Sequence, residues 1–241
     1  MTKQQKIIQY LNEEVSIAPL AMFRVLYGLI ALVGTVRFMA LGWVDDVYVK
    51  PTYHFTYYGF EWVKAPGEMG MYALFVAMAV LAFFVLIGFL YQPAIIGFFG
   101  VFTYVELIDK TMYLNHYYLM SLLAFLLIFV PANAYFSVDV WRNRVIQKTR
   151  VPRWMVLIFR LQLGIVYLYA GLAKLNYEWM CRAMPLKIWL TSKTYLPVVG
   201  AIMAKTWLHY LFSWGGALYD ISIAFLLSIK RTRVVAYMAV V

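Results

Sequence analysis

The sequence predicts an all-α fold: a polytopic membrane helical bundle with six spanning helices and an incomplete seventh. Of its 241 residues, 64% are hydrophobic and 13% are charged, whereas soluble domains are about 45–50% apolar. A soluble fold of this length has too little interior to bury so much apolar surface. Six apolar runs each approach the roughly 20 residues that a spanning helix needs. We expect residues 1–241 to form a single membrane domain.

The first three spans are predicted near 19–42, 69–90 and 93–113. The first is expected to be a retained helix, because no small-residue cleavage site follows it. Residues 1–18 also lack the continuous apolar run of a signal peptide, and they contain Glu13 and Glu14.

The remaining spans are predicted near 117–134, 153–175 and 207–229. A seventh apolar run begins at Val234 and stops at Val241, which is too short to cross a bilayer. We therefore expect the sequence to be the N-terminal part of a longer protein and to be inactive by itself. A half-helix packed into an oligomer interface is the alternative.

The basic residues predict the orientation of the bundle. The net charge is +10, and many of the basic residues lie in the N-terminal tail, in the loop 135–153 and in residues 230–233. Six spans would place these three segments on one side, which the Lys and Arg bias makes cytoplasmic. The segments 43–68, 109–116 and 176–206 would then lie on the opposite side. The positive charge thus indicates membrane topology and not a nucleic-acid partner.

A cluster of ionisable residues lies at the outer end of the third span. Such groups are costly at membrane depth and usually face the bundle interior. Glu106, Asp109 and Lys110 are three and four residues apart, which would place them on one helical face. Asn115 and His116 follow within about two turns. The spacing fits an acid–base site and equally a structural ion pair with an interfacial histidine.

Lys174 ends the fifth predicted span, preceded on its own face by Ala170 and Gly171. It is either a desolvated lysine whose neutral amine could act as a base, or a lysine that snorkels to the interface. The predicted orientation places it on the same side as Asp109 and His116. Three candidate acid–base groups are therefore expected to converge on one membrane face.

Asp220 lies inside the sixth predicted span and needs a cation or hydroxyl partner. We expect Arg24 or Arg160 to provide it, and we interpret all three residues as structural. Gly215 and Gly216 in the same span predict a close approach of two helix backbones.

The sequence offers no pattern for a metal or a bound cofactor. Its three histidines are spread without metal-ligand spacing, and we interpret His54 and His209 as loop or interfacial residues. Cys181 is the single cysteine, so no internal disulfide is expected.

Residues 107–119, which read Leu-Ile-Asp-Lys-Thr-Met-Tyr-Leu-Asn-His-Tyr-Tyr-Leu, resemble a motif of the vitamin K-dependent γ-carboxylase family. Three further stretches agree in order and spacing: 132–139, 166–179 and 215–220. Residues 51–63 are similar to the bacterial branch of the family. The resemblance covers nearly the whole chain and is to the membrane module called the horizontally transferred transmembrane domain.

The resemblance implies a carboxylase that couples epoxidation of a quinol to carboxylation of glutamate. Its co-substrates would be vitamin K hydroquinone or menaquinol with O2 and CO2, without a metal. The essential lysine base of the family matches Lys174, and the histidine near the carbanion step matches His116, with Asn115 beside it. Asp109 and Lys110 match the acid–lysine pair of the family motif. Where the animal enzymes carry a second lysine, this chain has Ala173.

The implied partners are the lipid bilayer, a quinone and a peptide or protein glutamate, with no nucleic acid. The implied location is a bacterial inner membrane with the active-site side periplasmic. The family continues with another helix carrying His and Asn and with a large extramembrane domain, and this sequence stops before both. Two other interpretations remain open: a non-carboxylating quinone-linked redox protein, and a structural or transport module whose ionisable residues only hold helices together.

Overall fold

A computed structural model describes residues 2–229 and 231–240. Met1, Lys230 and Val241, which belong to the predicted N-terminal tail, the last basic segment and the seventh apolar run, lie outside the described residues. The chain divides into two compact units, one up to Ile158 and one from Phe159 onward. Each unit is described by itself.

The all-α membrane bundle is confirmed, with one correction to the number of full-length spans. Within the described residues, five helices are long and apolar enough to cross a membrane. They are α2 (Ala18–Ala40), α3 (Gly67–Ile87), α4 (Tyr91–Ile108), α7 (Trp154–Ala173) and α11 (Thr206–Ser228).

The fourth predicted span, near 117–134, is wrong in length. Its helix, α5, runs over Asn115–Ile128 and has 14 residues, which is about 21 Å at 1.5 Å per residue. Pro131 follows closely, and because proline lacks an N–H and disfavours helix in the residue before it, this position favours the end of the helix. The Tyr91 hydroxyl donates to the Leu127 carbonyl at 2.7 Å, so the end of α5 still lies beside the start of α4.

Unit one begins with α1 (Lys3–Asn12), whose N-terminus is closed by a reciprocal capping box between Thr2 and Gln5. The short strand β1 (Glu14–Ser16) then pairs antiparallel with β2 (Arg150–Pro152). Neither strand is predicted by the apolar runs. The pairing places the N-terminal segment and the loop before α7 on the same side of the unit, as the charge pattern predicts.

The helices α2, α3, α4 and α5 form the core of unit one, with consecutive helices in contact. A Cβ on Gly28 of α2 would lie 2.5 Å from the Leu86 backbone nitrogen, so this glycine permits the close approach of α2 to α3. Gly88 ends α3 in the left-handed conformation, with φ +66°. Short elements complete the unit: a π-helical turn (Asp45–Val49), two 3-10 turns (Lys110–Met112 and Arg144–Ile146) and α6 (Val138–Arg142).

Unit two contains most of α7 together with α11 and the short helices α8 (Tyr177–Met180), α9 (Met184–Thr191), α10 (Gly200–Met203) and α12 (Arg233–Val240). The Trp179 indole donates to the Ser213 carbonyl at 2.9 Å, and the Ser213 hydroxyl donates to the Trp179 carbonyl at 2.6 Å. These reciprocal bonds fasten α8 to α11. Among the described residues, α12 has eight residues.

Candidate functional site

Lys174 follows the last residue of α7 and forms an ion pair with Asp220 of α11. Its Nζ also donates to the Ala170 carbonyl at 3.4 Å and lies 5.4 Å from the centre of the Trp179 ring. The exposed fractions of the two charged side chains are 23% for Lys174 and 13% for Asp220. The pair is therefore mostly buried but still accessible from outside the unit.

The ion pair forms because α7 and α11 approach closely at Gly171. A Cβ at this position would lie 2.5 Å from Ile221 Cγ1 and 2.9 Å from the Ile221 backbone nitrogen, so only glycine fits. The prediction placed the close approach at Gly215 and Gly216. That prediction is wrong, because a Cβ on either residue would meet no atom within 4 Å among the described residues.

The expected partners of Asp220 are also corrected. Lys174, and not Arg24 or Arg160, carries the charge that pairs with Asp220. Arg160 is exposed and makes no side-chain hydrogen bond or ion pair within the described part of the chain.

Arg24 is fully buried in unit one, where it binds backbone carbonyls instead of a carboxylate. Its guanidinium donates to the carbonyls of Val85 and Leu86 at 2.7 Å each, of Phe136 at 2.6 Å and of Ala132 at 3.2 Å. Val85 and Leu86 lie in the last turn of α3, where carbonyls lack partners within the helix. Arg24 thus closes the C-terminal end of α3 against the following loop.

Asp109 lies outside α4, because its backbone is extended (φ −140°, ψ 113°) directly after Ile108. Its Oδ1 accepts from the backbone N–H of Thr111 at 2.9 Å and from the Thr111 hydroxyl at 2.8 Å. Short acids compete with helix in this way by bonding backbone groups two residues ahead. The expectation that Glu106, Asp109 and Lys110 share one helical face is therefore wrong.

The other carboxylate oxygen of Asp109 lies 3.2 Å from His54 Nδ1. Burial alone would raise the pKa of Asp109, but the hydrogen bonds from Thr111 and His54 outweigh it and lower the pKa. Asp109 is therefore a carboxylate near neutral pH. A backbone bond from the Lys110 N–H to the Phe55 carbonyl, at 2.8 Å, holds the same two segments together.

His54 is the partner that sequence reasoning missed. Interpreted as a loop residue, it lies 55 positions from Asp109, and its stretch Pro-x-x-His-Phe was the signal available. No local spacing could connect the two, because the contact depends on how the loop after α2 folds back.

The remaining predicted residues of unit one are less enclosed. Lys110, Asn115 and His116 are exposed, and His116 lies against the ring of Tyr117 with 4.5 Å between centroids. Glu106 is half-buried on α4 and makes no hydrogen bond within the described residues. Of the predicted residues in this cluster, Asp109 is therefore the one that unit one encloses, in contact with His54 and Thr111.

The predicted convergence of Lys174 with Asp109 and His116 stays a prediction, because these residues belong to different units. Within the residues that the structure describes, no three His, Cys, Asp or Glu side chains group as metal ligands.

Comparison with known proteins gives one family. A family model described as the HTTM domain matches residues 12–241, a range that runs through both units. No solved structure matches the chain.

Proposed function

The chain belongs to the HTTM domain family, whose domain is found in the vitamin K-dependent γ-carboxylases, and we propose that it is an integral-membrane γ-glutamyl carboxylase. In this proposal, epoxidation of a quinol is coupled to carboxylation of a glutamate in a peptide or protein. The co-substrates are vitamin K hydroquinone or menaquinol, O2 and CO2. The proposed location is a bacterial inner membrane, with the N-terminus cytoplasmic and the active-site side periplasmic.

The observation that supports this proposal most strongly is the contact of Lys174 with Asp220 beside the Trp179 ring. An amine and a carboxylate in contact can exchange a proton, and the low polarity of a membrane protein interior favours such exchange over loss to water. The negative face of the indole attracts the ammonium form of the lysine. The three side chains therefore make a proton-handling site at the end of an apolar helix.

The proton balance of this site assigns a role to each member of the ion pair. Nζ of Lys174 hands one proton to Oδ2 of Asp220 and accepts one from a bound hydroxyl. Lys174 remains an ammonium, Asp220 becomes a carboxylic acid, and one proton has moved from the ligand to the pair. This is general-base catalysis: the carboxylate takes a proton from the lysine, so that the lysine can accept one from the ligand.

The groups around this ion pair fit an aromatic quinol. Lys174 takes a hydroxyl proton, the Trp179 indole offers a face for ring contact, and the apolar surfaces of α7 and α11 suit an isoprenoid tail. When bound, the quinol supplies the electrons that reduce O2.

We assign His116 the electrostatic support of the negative charge that forms on the glutamate carbon. Its side chain is exposed in the first turn of α5. At this place an anion can accept a hydrogen bond from the imidazole and is stabilised by the positive end of the helix dipole. Asn115 lies beside it. Asp109, tied to Thr111 and His54, fixes the turn that leads into this helix.

The experiment is reconstitution of the protein in lipid nanodiscs, with the reading frame expressed in full. Vitamin K hydroquinone, bicarbonate and a glutamate peptide are added, and epoxide and carboxylated peptide are measured. Lys174→Met should abolish both products, whereas the control Lys187→Met removes a half-buried lysine of the same unit that lies 5.5 Å from the centre of the Tyr210 ring and makes no ion pair among the described residues. Absence of both products from the wild type would overturn the proposal, and full epoxidation by Lys174→Met would overturn the assignment of the base.

A second candidate function is favoured by the same ion pair, because oppositely charged residues on neighbouring spans also hold helices together. For a purely structural or transport module, Lys174→Met and His116→Ala lower thermal stability while no quinol-dependent product forms in any variant. A quinone-linked redox protein without carboxylation instead oxidises quinol at a rate that does not depend on CO2.

A further inference from the structure

The helix α1 stands apart from the core of unit one and exposes an apolar face. None of its residues is buried, and Ile7, Ile8 and Tyr10 are each 52% exposed. Ile7, Ile8 and Leu11 lie within about 100° of one another around the helix, whereas Gln9 lies about 200° from Ile7. The capping box of Thr2 and Gln5 closes its first turn. The helix is therefore ordered and amphipathic, with its apolar side uncovered by the described residues.

Arg153 attaches α1 to the rest of the unit. Its guanidinium lies 4.2 Å from the centre of the Tyr10 ring and 2.7 Å from Glu13 Oε2. Its backbone N–H also donates to the Glu13 carbonyl at 2.9 Å. These contacts follow directly from the β1–β2 pairing, so the end of α1 is held at a defined place.

The position of α1 is at the end of the membrane-spanning helices. β1 leads from α1 into α2, which begins at Ala18, and β2 leads into α7, which begins at Trp154. An amphipathic helix beside the ends of two spans lies where the headgroup region of a bilayer meets the acyl chains.

A second segment on the same side has the same character. In the loop that precedes β2, Phe136 is 73% exposed, Trp141 75% and Val145 91%. Arg142 and Arg144 lie between Trp141 and Val145 in the sequence and are exposed as well. Large apolar side chains alternating with arginines are typical of surfaces that insert into an interface.

The charge of this side complements anionic headgroups. The segments 2–17 and 129–155 carry seven basic and three acidic residues. Glu13 is bound by Arg153, and Asp139 accepts from the backbone N–H groups of Leu90 and Tyr91 at the start of α4. Among the described residues no carboxylate pairs with Lys3, Lys6, Lys148 or Arg150.

A shallow depression at this surface has the size and lining for a headgroup. Its volume is about 400 Å³, and its lining combines the cationic residues Lys148 and Arg150 and the acidic Glu14 with apolar residues that include Pro131 and Met155. Two cationic residues against one acidic residue, together with apolar atoms, suit a phospholipid phosphate with its glycerol and first methylene groups.

We propose that α1 is an interfacial helix that lies in the leaflet on this side of the protein and binds anionic phospholipids. Ile7, Ile8 and Leu11 insert among the acyl chains, Arg153 sets the angle of the helix, and Lys3 and Lys6 contact headgroup phosphates. The depression beside β2 holds one such headgroup. This role is independent of the chemistry proposed above.

The test uses the full chain in nanodiscs, with Cys181→Ser removing its only cysteine. An environment-sensitive fluorophore is placed on Ile7→Cys or, as the matched control on the opposite face, on Gln9→Cys. Nanodiscs contain phosphatidylcholine alone or with phosphatidylglycerol, and brominated lipids quench probes at acyl-chain depth. We expect the probe at position 7 to be blue-shifted and quenched, more strongly with phosphatidylglycerol, and the probe at position 9 to remain in water.

Charge variants test the headgroup contacts. Lys3→Glu with Lys6→Glu should weaken the phosphatidylglycerol-dependent part of the insertion equilibrium by at least about 25-fold, at about fivefold per lysine. As a control, Lys193→Glu with Lys205→Glu changes the net charge by the same amount in the other unit. This variant should leave the phosphatidylglycerol-dependent insertion unchanged. Equal exposure of both probes, or insertion that ignores phosphatidylglycerol, would overturn the proposal. Shielding of the probe at position 7 without lipid quenching would also overturn it, since a protein would then cover the helix.

Discussion

Replacing Gly171 by alanine should separate α7 from α11 and break the contact that holds Lys174 against Asp220. The new methyl group would lie 2.5 Å from Ile221 Cγ1 and 2.9 Å from the Ile221 backbone nitrogen. The first atom can move with its side chain, but the second belongs to the helix backbone. One helix must therefore shift, and the ion pair at the end of α7 shifts with it.

The magnitude follows from comparison with Gly164, two turns earlier on the same helix. A Cβ there would lie 3.6 Å from Ala224 Cβ, which is ordinary van der Waals contact. Both substitutions gain about 0.8–1 kcal/mol of helix propensity. Only Gly171→Ala adds an overpacking cost of about 1–3 kcal/mol. The difference between the two variants in free energy of unfolding should therefore be about 1–3 kcal/mol.

The assay is reversible unfolding in mixed micelles, followed by circular dichroism, for the wild type and both variants. Gly164→Ala should be as stable as the wild type or more stable, and Gly171→Ala should be less stable than Gly164→Ala. Equal stability of the two alanine variants would refute the close approach at Gly171. If the proposed chemistry holds, quinol epoxidation should fall in Gly171→Ala alone.

Three further changes test other parts of the molecule. Arg24→Lys should lower the free energy of unfolding by at least about 3 kcal/mol, because an ammonium cannot reach four carbonyls and leaves buried acceptors unpaired; unchanged thermal unfolding would contradict this. Gly216→Ala should raise stability by up to about 1 kcal/mol, since its methyl group enters open space, and a loss of stability in the same assay would restore the predicted packing role. Asp109→Asn should destabilise unit one near neutral pH. Since hydrogen bonds lower the pKa of Asp109, its contribution is present above the unfolded-state pKa and disappears as the pH falls below about 4. The free energies of unfolding of the wild type and Asp109→Asn should be measured from pH 3 to 7. A stability difference between them that does not change with pH would contradict this prediction.

The sequence predicted the features that depend on local composition. Apolar runs long enough to cross a bilayer correspond to α2, α3, α4, α7 and α11, because each spanning helix satisfies its own backbone hydrogen bonds and needs only length and apolarity. The motif around residues 107–119 indicated the family that the match over residues 12–241 confirms. The same local rules overestimated α5, since an apolar run continues through Pro131 although the helix does not.

The partners of the polar residues could not be derived in this way. Asp220 is 46 positions from Lys174, and its cation was expected to be Arg24 on α2 or Arg160 earlier on α7. A periodic pattern gives the face on which a side chain lies, but the neighbour across that face depends on how two helices pack. The glycines show the same limit: Gly215 and Gly216 form the more conspicuous pair, yet at the contact between α7 and α11 it is Gly171 that has no room for a methyl group.

The sequence by itself determined that this protein is a helical membrane bundle of the HTTM family, with Lys174 and His116 among its candidate groups. Only the tertiary structure decided that Lys174 is bound to Asp220, that Asp109 leaves its helix to meet His54, and that α1 exposes an apolar face beside the ends of two spans. The physical reason is that spans arise from interactions between near neighbours and the bilayer. Ion pairs and exposed faces arise from contacts between segments far apart in the chain, which only their packing brings together.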